Sequence, residues 1–450
     1  MIQRWLRLSV GLGILVAVAA LLAPRAVADD SATIPDIAAD RAIDAYISRP
    51  QPEFAWRLVD EQKLGEETIY RLELTSQRWQ EILWEHLLIV YEPAEVKIDD
   101  HMLLFVSGGS IGRAPRESEM AIGLALARLC RARVAVLHQV PNQPLMGGRK
   151  EDDLITETWL KYLQTGDESW PLLFPMVNSA VKAMDALQQF SAAQQWPQVD
   201  GFVVTGASKR GWTSWLTAAA DPRIKATAPM VIDMLNFPAQ IKRQYELWGQ
   251  PSEQIIDYTS KGLIREDGIP RPGPETRLWE MMDPFSYRQR VSMPKLLLVG
   301  ASDRYWSTDA MNLYWDELVG EKYIFRGANA GHGLEGRQSD ALSTLAVFFQ
   351  HAVAGQPLPQ IQWSEQADDQ SLGLSVTSDR APVTTRFWVA HSESQDFRDS
   401  RWVSRPMQKV DDRWVGKEPI VAGRHVAVFA ELVYEHEGTT YSLATLAYLR

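Results

Sequence analysis

One cysteine in 450 residues is the scarcest feature of this chain. A single thiol closes no internal disulfide, so the fold has to be held by its core. Cys130 lies beside Leu129 in the apolar stretch 121–131 and reads as packing. The same scarcity leaves no Cys-x-x-Cys pair. The eight histidines form no His-Glu-x-x-His, and no Gly-rich phosphate loop of the Walker type occurs. Asp99-Asp100-His101, lying before a strand, reads as a turn, so neither a metal nor a cofactor is expected. Basic residues are in deficit, 46 Lys and Arg against 57 Asp and Glu, for a net charge of −11. A duplex nucleic-acid binder needs a basic face, which excludes that class of partner. The apolar fraction, 46%, is enough for a full core.

Long hydrophobic runs are also missing. Leu8–Leu22 is apolar but falls short of the about 20 residues of a spanning helix. Arg4 and Arg7 precede it, and Ala26-Val27-Ala28 follows as a small-x-small cleavage signal. Residues 1–28 therefore read as a secretory signal peptide, with an uncleaved anchor as the alternative. No cysteine stands near the cleavage site, which excludes a lipoprotein. An exported chain without disulfides fits the bacterial periplasm or a secreted bacterial protein, with no stable membrane span after processing.

What is present is a set of strand-end motifs. The apolar run Phe202–Val204 enters Gly206-Ala207-Ser208-Lys209-Arg210-Gly211 and passes directly into a helix-like pattern (Trp215, Leu216, Ala219). That is the strand–turn–helix context of a nucleophile elbow. Lys295–Gly300 is a second apolar strand leading to Asp303, and Tyr323–Arg326 a third leading to His332 between Gly331 and Gly333. Nucleophile, acid, base in that order is the arrangement of the α/β-hydrolase fold, not that of chymotrypsin or subtilisin. Each residue lies just past the C-terminal end of a strand, the edge where open α/β sheets bind ligands. Ser208 would attack, His332 would take its proton and return it to the leaving group, and Asp303 would hold the imidazole tautomer. Oxyanion donors are expected from the backbone N–H of Lys209 and from the loop carrying Gly108 and Gly109. Ala228–Ile232 is another strand ending in an acid, so Asp233 stays open as the alternative to Asp303. Position 210 is Arg where lipases usually carry Gly; Lys209 and Arg210 are placed to meet an anionic substrate, a binding role assigned to Arg210.

Before the elbow, strand-like pieces at Phe54–Val59, Thr68–Leu74 and Trp84–Tyr91 alternate with period two, which predicts antiparallel strands with one solvated face each. Helices are predicted at 118–131, 154–163 and 177–190, and strand–helix alternation predicts a mostly parallel central sheet covered on both faces. The polar and aromatic stretch of about 234–290 (Tyr245, Trp248, Tyr258, Trp279, Phe285, Tyr287) is too long for a bare loop and reads as a helical cap insertion. After Gly355-Gln356-Pro357 the pattern is short alternating strands, predicting an all-β sandwich of immunoglobulin-like type. The domain reading is a hydrolase domain over 31–354 and a β-sandwich over 360–450.

A set of local motifs resembles one family. They are Trp84-x-His86, Ser107-Gly108-Gly109, Pro141-Asn142-Gln143-Pro144, Trp170-Pro171-Leu172, the elbow through Trp212, Asp221-Pro222-Arg223-Ile224, Asp233-Met234-Leu235-Asn236, Asp283-Pro284 and Gly331-His332. In these the chain resembles the PhoPQ-activated pathogenicity-related protein family, bacterial exported proteins of α/β-hydrolase type. The resemblance implies the fold, a serine nucleophile and an envelope location, but no particular reaction. A weaker likeness runs to the glucuronoyl esterases, which also carry a cation directly after the serine. Their acid comes from the earlier strand, which keeps Asp233 open as the alternative to Asp303. The function read from the sequence is an exported serine esterase working through an acyl-enzyme on a small-molecule or envelope-associated ester or amide. A peptidase of the same fold and a non-catalytic binding or signalling protein are the alternatives.

Overall fold

A computed structural model describes residues 38–450, and the signal-peptide reading lies outside them. The described residues belong to one compact unit. Its centre is a nine-stranded sheet in the order β1-β2-β3-β5-β4-β6-β7-β8-β9. The strands are β1 (Ala55–Leu64), β2 (Glu67–Trp79), β3 (Ile82–Glu92), β4 (Ile98–Val106), β5 (Ala132–Leu137), β6 (Gly201–Ala207), β7 (Ile224–Met230), β8 (Lys295–Gly300) and β9 (Lys322–Gly327). The first three are joined antiparallel, β3 pairs antiparallel with β5, and every pairing from β5 to β9 is parallel. This order, with α-helical crossovers between the parallel strands except from β8 to β9, where only two short 3-10 turns intervene, is the α/β-hydrolase arrangement.

β5 and β8 are buried at every position, as the continuous apolar runs of a doubly covered parallel sheet require. The expected solvated faces of the N-terminal strands are found only on β1, which is exposed almost throughout. β2 and β3 are largely buried on both sides because helices cover them too. Charged pairs Arg57–Glu73 and Arg71–Asp60 line the β1 edge, a device that discourages strand addition. Asp99-Asp100-His101 is not a turn but part of β4, with His101 Nδ1 2.8 Å from Asp100 Oδ1.

The helices are α1 (Ala42–Ile47), α2 (Glu117–Cys130), α3 (Glu151–Thr165), α4 (Leu173–Ala193), α5 (Lys209–Ala220), α6 (Phe237–Trp248), α7 (Ile256–Thr259), α8 (Pro274–Met282) and α9 (Gln338–Val353). α3 and α4 start earlier than their apolar periodicity predicts. Glu151, Asp152 and Asp153 form the first turn of α3, where acids suit the partial positive charge of a helix N-terminus. α1, α4 and α5 pack on one face of the sheet, α2 and α9 on the other. Cys130 is buried at the end of α2.

Beyond α9 the chain is all β. β10 (Ile361–Asp368), β11 (Ser371–Ser378), β14 (Gln408–Val410) and β15 (Arg413–Pro419) form one antiparallel sheet. β12 (Thr384–Ser392), β13 (Val403–Arg405), β16 (His425–His436), β17 (Thr439–Ala444) and β18 (Tyr448–Leu449) form the other. β16 and β17 meet through Glu437 and Gly438, both at positive φ, the two-residue turn that matches strand twist. Leu374, Val376, Phe387 and Val428 of these sheets share one buried apolar cluster with Leu345 and Phe349 of α9.

Candidate active site

The site is built where β6 stops. Ala207 ends the strand, Lys209 starts α5, and Ser208 between them has φ 58° and ψ −125°, a conformation an L-residue adopts only under constraint. The turn is tight enough that a Cβ at Gly206 would lie 2.7 Å from the Arg210 carbonyl oxygen. The serine hydroxyl is thereby held clear of the sheet.

Two other strand ends reach it. His332, in the loop after β9, has Nε2 2.9 Å from Ser208 Oγ. Its Nδ1 lies 2.8 Å from Asp303 Oδ2, in the loop after β8. With Nδ1–H donating to the carboxylate, Nε2 is left to accept the serine proton. Asp303 is 7% exposed, and its other oxygen accepts the Tyr305 backbone N–H at 3.0 Å. The two loops interlock: the Ser302 N–H donates to the Ala330 carbonyl, and a Cβ at Gly300 would sit 2.3 Å from the Gly331 oxygen. Glu335 accepts the N–H groups of Gly331 and Gly333 and so shapes the turn that carries His332.

Asp233 does not join this chain of bonds. It is buried just past the end of β7, accepts the Tyr314 hydroxyl at 2.6 Å and lines a small cavity together with Arg326 and Asp303. Burial pushes its carboxyl up to about 6, against the opposing charge of Arg326. Gly108 and Gly109 follow β4, whose pairing with β6 sets Val106 beside Gly206 and brings the loop next to the elbow. The Gly108 carbonyl accepts the Gln139 N–H at 2.8 Å.

Arg210 is not at the pocket mouth, which corrects its expected contact with substrate. Its guanidinium forks onto both oxygens of Glu151 at 2.7 and 2.8 Å and donates to the Val140 carbonyl at 2.5 Å. It lies against Gly108, where a Cβ would come within 2.7 Å of it. Burial alone would raise the Glu151 carboxyl, but the bonds and charge of Arg210 outweigh it and hold it at about 2. Lys209 is paired as well, Nζ to Asp152 at 2.6 Å, and this carboxylate keeps it protonated although burial acts the other way. Asp152 further accepts the hydroxyls of Tyr258 at 3.1 Å and Tyr305 at 3.4 Å. The Tyr305 ring stacks on the His332 imidazole with centroids 4.3 Å apart.

Neither Asp152 nor Tyr305 was singled out in the sequence. Tyr305 stands two residues after the expected acid and was within reach of that reading. Asp152 comes from a distant helix and carries no local signal. Between Ser208 and the 234–290 segment lies a cavity walled chiefly by apolar side chains, among them Trp159, Trp212, Phe237, Ile241, Trp279 and Trp306. Of the aromatics expected in that segment, Tyr258 and Trp279 reach the cavity. Trp248 instead lies under the Arg398 guanidinium, and Tyr287 donates to the Met281 carbonyl. Among the described residues no group of three or more His, Cys, Asp or Glu is arranged to hold a metal.

The sequence profile of the PhoPQ-activated pathogenicity-related proteins matches residues 43–398. The chain belongs to that family. A relative, autocrine proliferation repressor protein A of Dictyostelium discoideum, is 32% identical over 381 residues, 80% of this chain and 76% of the relative. Solved structures with a similar course of chain include an acetyl xylan esterase from Paenibacillus sp. R4 (15% identity, 65% of this chain and 87% of that one, TM-score 0.45). Another is an S-formylglutathione hydrolase from Agrobacterium tumefaciens (14%, 65% and 99%, TM-score 0.44). For this PhoPQ-related chain, strand order and connectivity assign the α/β-hydrolase fold.

Proposed function

We propose that this PhoPQ-related protein is an exported serine hydrolase that cleaves esters through an acyl-enzyme on Ser208. One observation carries the reading: the unbroken run Asp303–His332–Ser208, at 2.8 and 2.9 Å, opening onto an apolar cavity. His332 takes the serine proton as Oγ attacks the ester carbonyl and hands it to the departing alkoxide; Asp303 stabilises the imidazolium formed on the way. Water then repeats the sequence on the acyl-enzyme. The Lys209 N–H and those of the Gly108–Gly109 loop are the donors for the tetrahedral oxygen, each worth about 3 kcal/mol where such donors have been removed. Because Lys209 and Asp152 neutralise each other and most of the remaining wall is apolar, with Gln240, Tyr258 and Tyr305 among its polar members, the acyl group is an uncharged, largely apolar one. The 234–290 segment acts as the cap that excludes water, and the C-terminal sheets form an immunoglobulin-like sandwich. Export rests on the pattern of the first 28 residues; no described helix is long and apolar enough to cross a membrane.

The name of the Dictyostelium relative supports a second reading, a secreted signalling protein on a hydrolase scaffold, since fold alone guarantees no activity. Labelling by a fluorophosphonate decides between them. Attachment to Ser208, lost in Ser208→Ala together with roughly 10⁴-fold or more of the turnover of p-nitrophenyl butyrate, is the result expected of the enzyme. Folded protein that leaves the probe untouched sinks the hydrolase and favours the signalling reading.

A further inference from the structure

The C-terminal sheets take no part in the chemistry above, yet the loop between β12 and β13 touches the two loops that carry Asp303 and His332. Asn329, three residues before His332, sits at φ 58°, and its side-chain amide closes a two-bond ring with the backbone of Trp402. Nδ2–H donates to the Trp402 carbonyl at 2.9 Å, and the Trp402 N–H donates to Oδ1 at 2.8 Å. Trp402 is anchored in turn, 1% exposed, with its ring edge-on to Phe429 at 4.9 Å. The next residue, Ala330, accepts the Ser302 N–H at 2.9 Å, so the same tether reaches the residue before Asp303. Around it, Arg304 pairs with Asp399 and Glu253, and Arg398 pairs with Glu253 at 2.9 Å over the face of Trp248.

These contacts differ in weight. Asp399 is 85% exposed, and exposed ion pairs contribute little. The Asn329–Trp402 ring ties an irregular loop, with no ladder of its own, to the backbone of a residue whose side chain is buried. The orientation of the amide is set by its partners, because a backbone carbonyl only accepts and an N–H only donates. A displacement of about 1 Å at a catalytic group can lower a rate about 100-fold, so a tether three residues from the base controls more than stability.

We propose that Asn329 and Trp402 form a positioning clamp through which the C-terminal sheets set the place of His332 over Ser208. The clamp makes the β unit part of the frame of the active site. It rests on the serine-hydrolase reading for its effect on rate, while the geometry it imposes on His332 stands apart from that reading.

The test uses the full chain and Asn329→Gly. Glycine accepts the left-handed backbone and removes both amide bonds. Ser378→Ala is the control: it deletes a hydrogen bond to Tyr434 within the same β unit, away from the loop. Two readouts are taken, kcat and KM on p-nitrophenyl butyrate and the hydrogen-bonded Nδ1–H proton signal of His332 in protein carrying isotope-labelled histidine. The expected result for Asn329→Gly is a fall in kcat of about 10- to 100-fold with KM within about twofold, and loss of the proton signal. Ser378→Ala should match the unsubstituted protein in both. An Asn329→Gly protein with unchanged kcat and an intact signal overturns the clamp, and so do equal losses in both variants. If the unsubstituted protein is inert toward ester and fluorophosphonate, the hydrolase reading fails. The proton signal then still decides the clamp, kept by its loss in Asn329→Gly alone and refuted by its persistence.

Discussion

At the scale of single residues, the two candidate acids are separated by what each faces. Asp303 turns one oxygen to His332 Nδ1 and the other to a backbone N–H, so it is oriented by both. Asp233 is turned toward Tyr314 and Arg326, one strand away. Asp303→Asn replaces an acceptor facing Nδ1–H by a group that favours the wrong tautomer, and kcat should fall roughly 10⁴-fold. Asp233→Asn keeps an acceptor for the Tyr314 hydroxyl, and kcat should stay within about tenfold. Steady-state turnover of p-nitrophenyl butyrate checks both, and comparable losses would mean that both carboxylates serve the base. Ser208, Asp303 and His332 were legible in the sequence because each is announced by a local event, an apolar strand that ends in a small-residue turn. The destination of the Arg210 side chain was not. Its partners Glu151 and Val140 lie far away along the chain, and no spacing rule brings them together.

At the scale of elements, α3 supplies the carboxylates that engage both cations of the elbow, Asp152 for Lys209 and Glu151 for Arg210. A helix N-terminus tolerates acids in its first turn, and the two residues reach adjacent positions of α5. His86 ties β3 to its neighbours. Its Nε2 lies 3.0 Å from Ser76 Oγ on β2, which in turn lies 3.2 Å from Ser179 Oγ on α4. Its Nδ1 lies 3.2 Å from the His138 carbonyl. Burial pushes the His86 imidazole down to about 4, against the bonds to the His138 and Gln139 backbone. Burial pushes His138 down to about 4 as well, against the charge of Glu119. A base whose folded value is depressed contributes its full stability above the ordinary imidazole range of about 6.5 and loses it as the pH falls toward about 4. Uptake of a proton by this imidazole in the unfolded chain, while folded His86 stays neutral, should therefore remove about 3 kcal/mol across that window. Asp233, held at about 6, and Asp283, held at about 7, are buried acids that act in the opposite sense over the same range. The measurement is therefore the difference between the unsubstituted protein and His86→Gln: between about pH 7 and pH 4 the urea midpoint of the substituted protein should fall less, or rise more, and an identical pH dependence would place the acid sensitivity elsewhere.

At the scale of the whole molecule, the apolar cluster on the α2–α9 side of the central sheet continues without a break into the C-terminal sheets. β17 packs against both α9 and β9, and Asn312 donates to the Ala447 carbonyl at 2.9 Å. A β unit that shared no core with the body would melt separately. Here one cooperative transition should appear in scanning calorimetry, with far-UV and tryptophan signals coinciding. Two resolved transitions would show that the contacts across α9 are weaker than their burial implies.

Read alone, the sequence determined the mostly parallel sheet, the order of the three strand-end residues and the change to short strands after α9. It could do so because strand, turn and helix preferences act between neighbours along the chain. Tertiary structure alone decided which acid meets His332, where the elbow's cations go, and that Trp402 bonds to the loop carrying His332. Each of those depends on side chains far apart in sequence, made neighbours by strand order and burial, and no local preference encodes such a meeting.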